Sequence, residues 1–387
     1  MDLKKSQGGS KPLEGLTVVE IGHSVAAPYA GLVLSDLGAE VIKVENPKAG
    51  DTARGWGPPF WDNDASLFHA LNRGKKGLAV DLGDSQQASA LKRLILGRAD
   101  VVIQNLRAGA VDAYGLGAEA LRREKPELIY CDLSAFGGGG PLADKPGYDP
   151  LMQAFGGLMS VTGEGRGRPP VRVGVSIVDM GAGMWAVIGI LASLFERASS
   201  KRGSIVQTSL FETALAWMAV PMAAYQASGE LRPPYGSGTA EIVPYQCFMT
   251  RDGWLMIAVG SDGLFSKFSA ALGCPDWAAD PRFATNGNRV ANRDVLLPMI
   301  EDIVRHQPLT DLMERLDAVG VPNAPLQTID QVAAHPQTQE LGIVQTGPKK
   351  ALPLMGLPLS FDGTRPALKW PTPALGEHNS QFLKKDD

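Results

Sequence analysis

The sequence predicts an α/β fold, in which a large domain built on a doubly wound parallel sheet is joined to a smaller α+β domain. Residues 16–134 alternate short β-branched apolar runs with helix-length segments, as repeated β-α-β units do. Beyond about residue 225 the pattern changes to a hairpin signal followed by amphipathic helices. With 387 residues, of which 44% are hydrophobic, the chain is long enough for two or three domains with buried cores.

The large domain begins with the apolar run LTVVEI, an Ala-rich helical segment and a second apolar run, EVIKVE. The same alternation then recurs along the chain. Strands that are joined by crossover helices run parallel. In an open parallel sheet ligands bind beyond the carboxyl ends of the strands, so we expect a ligand there. Strands are expected at 16–21, 40–45, 77–82, 100–105 and 128–134, and helices at about 26–37, 85–97 and 117–124.

The pattern changes after the last of these strands. We expect a helix at about 150–160, a Gly/Arg-rich loop at 163–170, a strand at 171–178 and a long apolar helix that starts near Asp179. The most apolar stretch of that helix, Met180–Phe195, is shorter than the roughly 20 residues that a membrane-spanning helix needs. It is therefore predicted to be a buried helix, and no membrane is expected as a partner.

The smaller domain is expected to begin near residue 225. Within residues 245–260, Asp252 and Gly253 lie between two apolar runs, which is a strong hairpin signal. Amphipathic helices are expected near 262–272, 291–306 and 309–318. The predicted boundaries are 13–205 for the large domain, 225–328 for the small domain and 329–387 for a segment that returns to the large domain.

Charge and cysteine content exclude several classes of function. The chain has 37 Lys and Arg against 41 Asp and Glu, a net charge of −4, and it has no basic block, so nucleic acid is not an expected partner. Its 3 cysteines are odd in number and widely spaced, which is typical of a reducing compartment, and we expect a cytoplasmic protein. The N-terminal lysines are not followed by an apolar segment, so no signal peptide is expected.

Several well-known site motifs are absent from the sequence. It contains no G-x-x-x-x-G-K-[ST], H-E-x-x-H or G-x-S-x-G motif, and its 5 histidines do not have metal-ligand spacing. The Gly137–Gly140 run follows a strand, but Pro141 and a loop stand where a dinucleotide fingerprint needs a helix. We therefore expect neither a metal site nor a dinucleotide site.

Asp179 is the first candidate for a functional residue. It stands where VRVGVSIV meets the apolar run MGAGMWAVIGILASLF, at the expected start of the long helix. A carboxylate there can be an N-cap, which contributes about 1 kcal/mol to helix stability. It can equally be a nucleophile, because a helix N-terminus favours its ionised form, and Gly181 and Gly183 leave room for a ligand. The residues alone leave both roles open.

Two loops are expected at the ligand-binding edge of the sheet. The segment HSVAAP, residues 23–28, follows the first strand, and NLRAG, residues 105–109, follows the fourth. Asn105 and Arg107 could contact amide or phosphate groups there, although each loop could also be an ordinary solvated turn. Together with Asp179, these loops indicate one phosphate-bearing ligand.

Two further basic groups are candidates for contacts with a phosphate, one of them in a turn before the third strand. The turn NRGKKG occupies residues 72–77, and Arg54 lies in the segment GDTARGW. Either could neutralise a phosphate. Because lysine and arginine side chains on surface turns are usually only solvated, we interpret both as solvated surface groups.

Longer segments of the chain resemble one known family. They are LEGLTVVEIGHSVAAPYAGLVLSDLGAEVIKVENPKAGDTARGW, ADVVIQNLRAGAVDAYGLG, LIYCDLSAFGGGGPLADKPGYDPLMQAFGGLMSVTG and SIVDMGAGMWAVIGILASL, with GVPNAP and LPLMGLPLSFDGT nearer the C-terminus. Over about residues 13–380 the chain resembles the class III CoA-transferases of the formyl-CoA transferase and carnitine CoA-transferase type. That group also includes the α-methylacyl-CoA racemases.

The resemblance implies an acyl-CoA substrate, no tightly bound cofactor and an interlocked homodimer. The catalytic aspartate of the family matches Asp179, which would attack the donor thioester and form a mixed anhydride and then an aspartyl-CoA thioester. The CoA contacts of the family match a set of loop residues: His23, Ser24, Val25, Ala26, Val80, Gly83, Asn105, Leu106 and Arg107.

The chain departs from the family pattern at three positions. Val25 stands where transferases often have Gln, and Ala113 lies near the position of a basic residue. Tyr148 stands where the racemases have a His that pairs with the aspartate as acid and base. A phenol, with an ordinary pKa of about 10, is a poor general base at neutral pH, so transfer is favoured over racemisation. Tyr148 is instead expected to orient the acyl or acceptor group in the binding site.

The expected function is transfer of CoA from an acyl-CoA, such as succinyl-CoA or another short-chain thioester, to a small carboxylic acid. Two alternatives remain open. One is a 2-methylacyl-CoA racemase or isomerase in which Asp179 transfers a proton. The other is a regulatory protein that binds CoA without catalysis.

Overall fold

The computed structural model describes residues 11–107, 109–165, 167–348 and 351–383. The chain divides into two compact units. One takes in the described residues of Met1–Gly156, Gly174–Trp217 and Ala333–Asp387, and the other takes in those of Gly157–Val173 and Met218–Val332. Residues 157–173, which the sequence-based boundaries place in the large domain, cluster with the second unit. The domain boundaries themselves stay a prediction.

A six-stranded sheet forms the centre of the first unit. Its strands are β1 (Thr17–Ile21), β2 (Glu40–Glu45), β3 (Lys76–Ala79), β4 (Val101–Gln104), β5 (Ile129–Ser134) and β6 (Ile205–Ser209). They follow the order β3-β2-β1-β4-β5-β6, and every neighbouring pair is parallel. The predicted α/β class with a parallel sheet is therefore confirmed, and β6 is a strand that the sequence patterns did not predict.

Both units contain helices. In chain order they are α1 (Ala26–Asp36), α2 (Ser66–Asn72), α3 (Ser85–Arg98), α4 (Ala118–Glu124), α5 (Asp149–Phe155), α6 (Leu158–Val161), α7 (Ile177–Ser200), α8 (Leu210–Trp217), α9 (Ala219–Ser228), α10 (Asp262–Ala271), α11 (Asn286–Ala291), α12 (Arg293–Val304), α13 (Leu309–Ala318), α14 (Ile329–Ala334), α15 (Pro336–Leu341) and α16 (Asn379–Phe382).

The segment before α7 differs from its prediction. Residues 171–176 are irregular and mostly exposed, so the expected strand at 171–178 is wrong. The apolar alternation there does not mark a sheet, because the side chains are not buried between layers. Helix α7 begins at Ile177 rather than near Asp179.

Helix α7 is also longer than its sequence suggested. It has 24 residues, which is enough to cross a membrane by length and composition alone. Half of its most apolar 18-residue segment is buried inside the protein. Buried core helices of soluble proteins pass the same test, so the expected absence of a membrane partner stays a prediction.

The sheet of the first unit has a covered edge. Strand β3 lies at that edge, and the C-terminal segment runs beside it. The Asn379 side chain accepts a hydrogen bond from the Ala79 amide at 2.9 Å and donates one to the Ala79 carbonyl at 3.0 Å. An edge strand with paired backbone groups is protected from pairing with another chain.

The second unit contains an antiparallel sheet of three strands, β7 (Tyr245–Met249), β8 (Trp254–Ala258) and β9 (Asn323–Pro325), in the order β9-β8-β7. The predicted hairpin is confirmed, because the Thr250 amide donates to the Gly253 carbonyl at 2.9 Å across its turn. Helices α10, α12 and α13 pack with this sheet around a core that includes Phe248, Phe268 and Leu312.

The first unit also contains two pairs of short antiparallel strands. One pair joins Phe60–Trp61 with Asp64–Ala65, and the other joins Val344–Gln345 with Leu354–Met355.

Candidate active site

Strands β1 and β4 lie side by side where the strand order reverses, which is where doubly wound sheets bind their ligands. The loops that follow these strands are joined by Asn105. Its side chain accepts a hydrogen bond from the His23 amide and donates one to the His23 carbonyl, both at 3.0 Å. A Cβ atom at Gly22 would lie 2.6 Å from the Cβ of Ala27, so only glycine allows the chain to turn here.

A cavity of about 340 Å³ opens at this edge of the sheet, within the size range of small-molecule sites. Most of the predicted site residues line it: His23, Ser24, Ala26, Asn105, Leu106, Arg107, Tyr148 and Asp179. The structure therefore brings the two predicted loops and the candidate nucleophile to one place. Ala108, the fourth residue of the second loop, lies outside the described residues.

A second cavity of about 400 Å³ adjoins the first, because His23 and Leu106 line both. Val80 and Gly83 lie on its wall and not on that of the first cavity. Val25 lines neither cavity, since it is buried at the N-cap position of α1, where its carbonyl accepts a backbone hydrogen bond. The predicted CoA contacts thus divide between two adjacent spaces, with Val25 outside both.

Asp179 is not the cap of helix α7. It is the third residue of the helix, and Ser176 at the N-cap position makes no side-chain capping bond. The cap comes instead from Asp149, whose Oδ2 accepts hydrogen bonds from the amides of Val178 at 2.8 Å and Asp179 at 3.3 Å. Between the two roles that the sequence left open, the capping role therefore belongs to Asp149.

The Asp179 carboxylate is buried, with 8% of the residue exposed, and it lines the cavity. Among the described residues no side chain or backbone amide donates a hydrogen bond to it. Burial raises the pKa of Asp179 to about 7, and the nearby Asp149 carboxylate adds to the effect. The helix N-terminus does not keep this pKa low, contrary to the sequence-based expectation, because burial and a like charge outweigh it.

The glycines beside Asp179 serve helix packing rather than ligand access. A Cβ atom at Gly181 would lie 2.8 Å from Cγ2 of Thr213 in α8. One at Gly183 would lie 2.7 Å from the carbonyl oxygen of Ala26 in α1. The expectation that these glycines admit a ligand is wrong, since the space beside them is filled by two neighbouring helices.

His23 is partly buried and lines both cavities. Burial lowers its pKa, and Lys43 lowers it further, although Asp51 acts in the opposite direction. Its Nδ1 lies 2.8 Å from Oγ of Ser24. The imidazole is therefore neutral at pH 7 and can act as a hydrogen-bonding group rather than as a positive charge.

The basic turn at 72–77 is structural rather than solvated. Lys75 is buried, and its Nζ lies 2.7 Å from Oε2 of Glu20. Arg73 is also buried and forms an ion pair with Asp36 at 2.5 Å. The interpretation of this turn as a solvated surface group is wrong, because buried carboxylates compensate both charges.

Arg54 likewise differs from its prediction as a solvated side chain. It pairs with Glu45 at 2.8 Å and with Asp64 at 2.7 Å, and its guanidinium lies 3.9 Å from the centre of the Phe68 ring. Its charge is compensated inside the protein.

Sequence reasoning missed two residues of the site. Asp149 orients the first turn of α7, and the available signal was its position between Tyr148 and Pro150, at the start of a predicted helix. Lys145 lines the first cavity with an exposed charge, and a lone lysine in a loop gives no signal of that. Within the described residues, no group of three His, Cys, Asp or Glu side chains could hold a metal ion.

The chain is similar to known proteins over nearly its whole length. Residues 13–379 match the profile of CoA-transferase family III. A succinate–glutarate CoA-transferase from Agrobacterium fabrum is 37% identical over 383 residues, which cover 96% of this chain and 95% of that protein. The human succinyl-CoA:glutarate CoA-transferase is 32% identical over 378 residues, which cover 97% of this chain and 86% of that protein.

Solved structures give the same result. A CaiB/BaiF family protein from Brucella suis is 38% identical, with a TM-score of 0.85 and coverage of 96% of this chain and 98% of that one. A Mycobacterium tuberculosis protein in an orthorhombic crystal form is 30% identical, with a TM-score of 0.86 and coverage of 97% and 100%. The match over nearly the whole length, in sequence and in fold, shows that the chain belongs to CoA-transferase family III and is an enzyme of that class.

Proposed function

We propose that this enzyme transfers CoA from succinyl-CoA, or another short-chain acyl-CoA, to a small carboxylic acid, with Asp179 as the covalent nucleophile. Relatives named as succinate–glutarate and succinyl-CoA:glutarate CoA-transferases support a dicarboxylic acid such as glutarate as the acceptor. The observation that carries the proposal is the Asp179 carboxylate, which lines the cavity between the two loops without accepting a hydrogen bond from any described residue.

The chemistry needs a carboxylate that is both reactive and a good leaving group. An oxygen of Asp179 attacks the thioester carbon of the donor, the C–S bond breaks, and CoA leaves as a thiolate, so that Asp179 and the donor acyl group are joined as a mixed anhydride. The thiolate then attacks the side-chain carbonyl carbon of Asp179, and the donor acid leaves as a carboxylate. The enzyme now holds CoA as a thioester of the aspartate.

The second half-reaction repeats these steps with the acceptor. The acceptor carboxylate attacks the aspartyl thioester, which releases the CoA thiolate and forms a new mixed anhydride. The thiolate attacks the acyl carbon of the acceptor, and the Asp179 carboxylate is restored. No electron or proton is gained or lost overall, so neither a metal nor a redox cofactor is required for the balance.

The surroundings of Asp179 suit this cycle. A carboxylate without hydrogen bonds keeps its lone pairs available, and a pKa of about 7 leaves a substantial ionised fraction at neutral pH. The exposed cations Arg107 and Lys145 line the same cavity and could hold the phosphates of CoA.

The assembly and location of the enzyme belong to the proposal as well. We expect an interlocked homodimer in the cytoplasm. Helix α7 supports an interface between copies of the chain, because Trp185, Ile188 and Phe195 of this helix are 43%, 52% and 84% exposed. Light scattering at micromolar concentration should give twice the mass of one chain, and a monomer would contradict the dimer.

Trapping of the intermediate tests the catalytic role directly. The enzyme is incubated with succinyl-CoA, treated with hydroxylamine or borohydride, and digested for mass spectrometry. We expect the modification on Asp179, and we expect Asp179→Ala to lose transfer by at least about a thousandfold while it still folds and binds CoA. More than a few per cent of residual activity would sink the role of Asp179 as nucleophile.

Asp132→Asn is a matched control for this experiment. Asp132 is also a partly buried carboxylate whose pKa is raised by burial, but it accepts a hydrogen bond from Gln104 at 2.6 Å. It should not be labelled in the wild type, and its variant should keep its transfer activity.

A second experiment separates transfer from racemisation. A chiral 2-methylacyl-CoA is incubated with the enzyme in deuterated water without an acceptor acid, and the α-position is followed by NMR. We expect no exchange, because Tyr148 lines the cavity where a racemase has an imidazole. Rapid uptake of deuterium with loss of optical purity would replace the transferase assignment by the racemase alternative.

A further inference from the structure

Four buried charged side chains form one cluster beneath the loop that follows β1. The Nζ of Lys43 lies 3.0 Å from Oε1 of Glu20 and 2.9 Å from Oδ2 of Asp51. The Nζ of Lys75 completes the cluster, 2.7 Å from Oε2 of Glu20. None of the four residues is more than 2% exposed, and their charges balance. A buried ionic cluster stabilises a fold little compared with apolar packing, so its effect lies in the groups that it positions.

The cluster and Asn105 together hold the backbone of three consecutive loop residues. Lys43 donates to the carbonyl of Gly22 at 2.9 Å, and Asp51 accepts from the amide of Ser24 at 2.9 Å. Between these two bonds, Asn105 holds both backbone groups of His23. Side chains from three different parts of the chain thus fix the shape of one short loop.

Ser24 has a backbone conformation that needs such support. Its φ is +70°, in the left-handed region, which is strained for a residue with a side chain. Ser24 lies two residues before Ala26, the first residue of α1, and both residues line the first cavity. Without the bond from its amide to Asp51, Ser24 would relax to an ordinary conformation and the loop would change shape.

Asp51 is itself held on several sides. Its amide donates to Oε2 of Glu45 at 2.9 Å, and its Oδ1 also accepts from the amide of Ala53 at 2.9 Å. Burial raises the pKa of Asp51, but Lys43 and the two amides lower it by more, so the net shift is downward and the carboxylate is charged at neutral pH. A fixed and charged acceptor is well suited to hold a strained amide.

We propose that Asp51 is a positioning residue for CoA thioesters: paired with Lys43, it keeps Ser24 in the left-handed conformation and so preorganises the loop of residues 23–26. The inference rests on the proposed function, since it takes that loop as part of the CoA site. Asp51 lies on the wall of the second cavity but is only 2% exposed, and its two carboxylate oxygens are engaged by Lys43 and by the amides of Ser24 and Ala53, so it acts through the loop. Preorganisation improves affinity because less ordering remains to be done on binding.

The test compares Asp51→Ala and Asp51→Asn with a control, Asp64→Asn. Asp64 belongs to the neighbouring ion pair with Arg54 and has no bond to the loop. We expect the KM for succinyl-CoA to rise roughly ten- to a hundredfold in Asp51→Ala, with kcat within about threefold of the wild type. In Asp51→Asn the rise should be smaller, because the amide oxygen can still accept from Ser24. The control should keep the KM of the wild type.

Hydrogen exchange gives a readout that does not depend on turnover. The amide of Ser24 should exchange faster in both Asp51 variants, whereas amides in the centre of β1 should not change. Ser24→Gly tests whether Asp51 acts by holding the positive φ of Ser24, because glycine adopts a positive φ without strain. In a Ser24→Gly background, Asp51→Ala should therefore raise the KM by less than it does alone.

Three results would overturn the inference: a KM within twofold of the wild type in folded Asp51→Ala, unchanged exchange at Ser24, or fully additive effects with Ser24→Gly. If Asp51→Ala does not fold, the isosteric Asp51→Asn decides by calorimetry with free CoA, and unchanged affinity contradicts the role. Failure of the proposed function is a different outcome, in which the wild-type enzyme neither binds CoA nor transfers it.

Discussion

Two buried carboxylates beside the cavities, Asp51 and Asp179, differ in what surrounds them. The oxygens of Asp51 accept from two backbone amides and pair with Lys43 at 2.9 Å. The carboxylate of Asp179 accepts no hydrogen bond from the described residues, and the like charge of Asp149 adds to the rise of its pKa that burial causes. One carboxylate is fully compensated, and the other is left reactive.

Burial alone does not decide what these two carboxylates do. Burial raises the pKa of both groups, because the charged form loses its hydration. At Asp51 the opposite charge and the amide donors outweigh burial and the pKa is lowered, whereas at Asp179 it rises to about 7. A compensated carboxylate holds other groups in place, and an uncompensated one is available for chemistry.

The largest expected effect on stability is a gain from Asp179→Asn. The pKa of Asp179 rises from 3.8 to about 7 on folding, so folding is penalised once the pH exceeds 3.8, and the penalty is complete above about pH 7. Removal of the charge should raise the free energy of unfolding by up to about 4 kcal/mol at pH 8 and by much less at pH 5. Urea denaturation at both pH values measures this. An equal change at the two pH values would mean that the charge of Asp179 is not the cause.

Asp51→Asn should lower the stability of the protein, whereas Asp179→Asn should raise it. Because the folded-state pKa of Asp51 is lowered, its charge stabilises the fold above the ordinary pKa, and that stability is lost as the pH falls through the folded-state value. The variant leaves Lys43 without one of its charged partners, so its free energy of unfolding should be about 3 kcal/mol lower than that of the wild type. The loss should be the same at pH 5 and pH 8. A loss that grows with pH would contradict the lowered pKa.

Arg107→Ala should affect the ligand rather than the fold. Arg107 is exposed on the cavity wall, outside the buried cluster, and can make a charge-assisted bond to a phosphate of CoA. We expect CoA affinity to weaken by about 1–3 kcal/mol in calorimetry, with unchanged stability. Arg123→Ala, at an exposed position of α4, is the control. Equal CoA affinity in the wild type and Arg107→Ala would leave Arg107 as a surface residue.

The smallest expected effect is a shift of the pH profile in Asp149→Asn. The asparagine oxygen can still cap α7 at the amide of Val178, but the negative charge that raises the pKa of Asp179 is gone. The rise of kcat/KM with pH, which reports ionisation of Asp179 in the free enzyme, should move to lower pH. Rates measured between pH 5 and pH 9 test this, and an unmoved profile would assign the raised pKa to burial alone.

The sequence predicts that the loops after β1 and β4 meet, but it does not predict the surroundings of Asp179. The alternation of apolar runs predicts parallel strands, and parallel strands bring the loops after β1 and β4 to one edge, where Asn105 does bond to His23. The same reasoning failed at Asp179, because its helix is capped by Asp149, which lies 30 residues earlier in the chain. No local pattern identifies a cap that comes from another helix.

By itself, the sequence determined the parallel sheet, the hairpin of the second unit and the two loops that meet at the sheet edge, because hydrophobic periodicity is a local property and crossover helices make successive strands parallel. Only the tertiary structure decided that Gly181 and Gly183 pack against helices, that Lys75 is buried against a carboxylate, and that Asp179 has no hydrogen-bond donor among the described residues. The physical reason is that burial and charge compensation depend on side chains distant in sequence, and folding alone brings those side chains together.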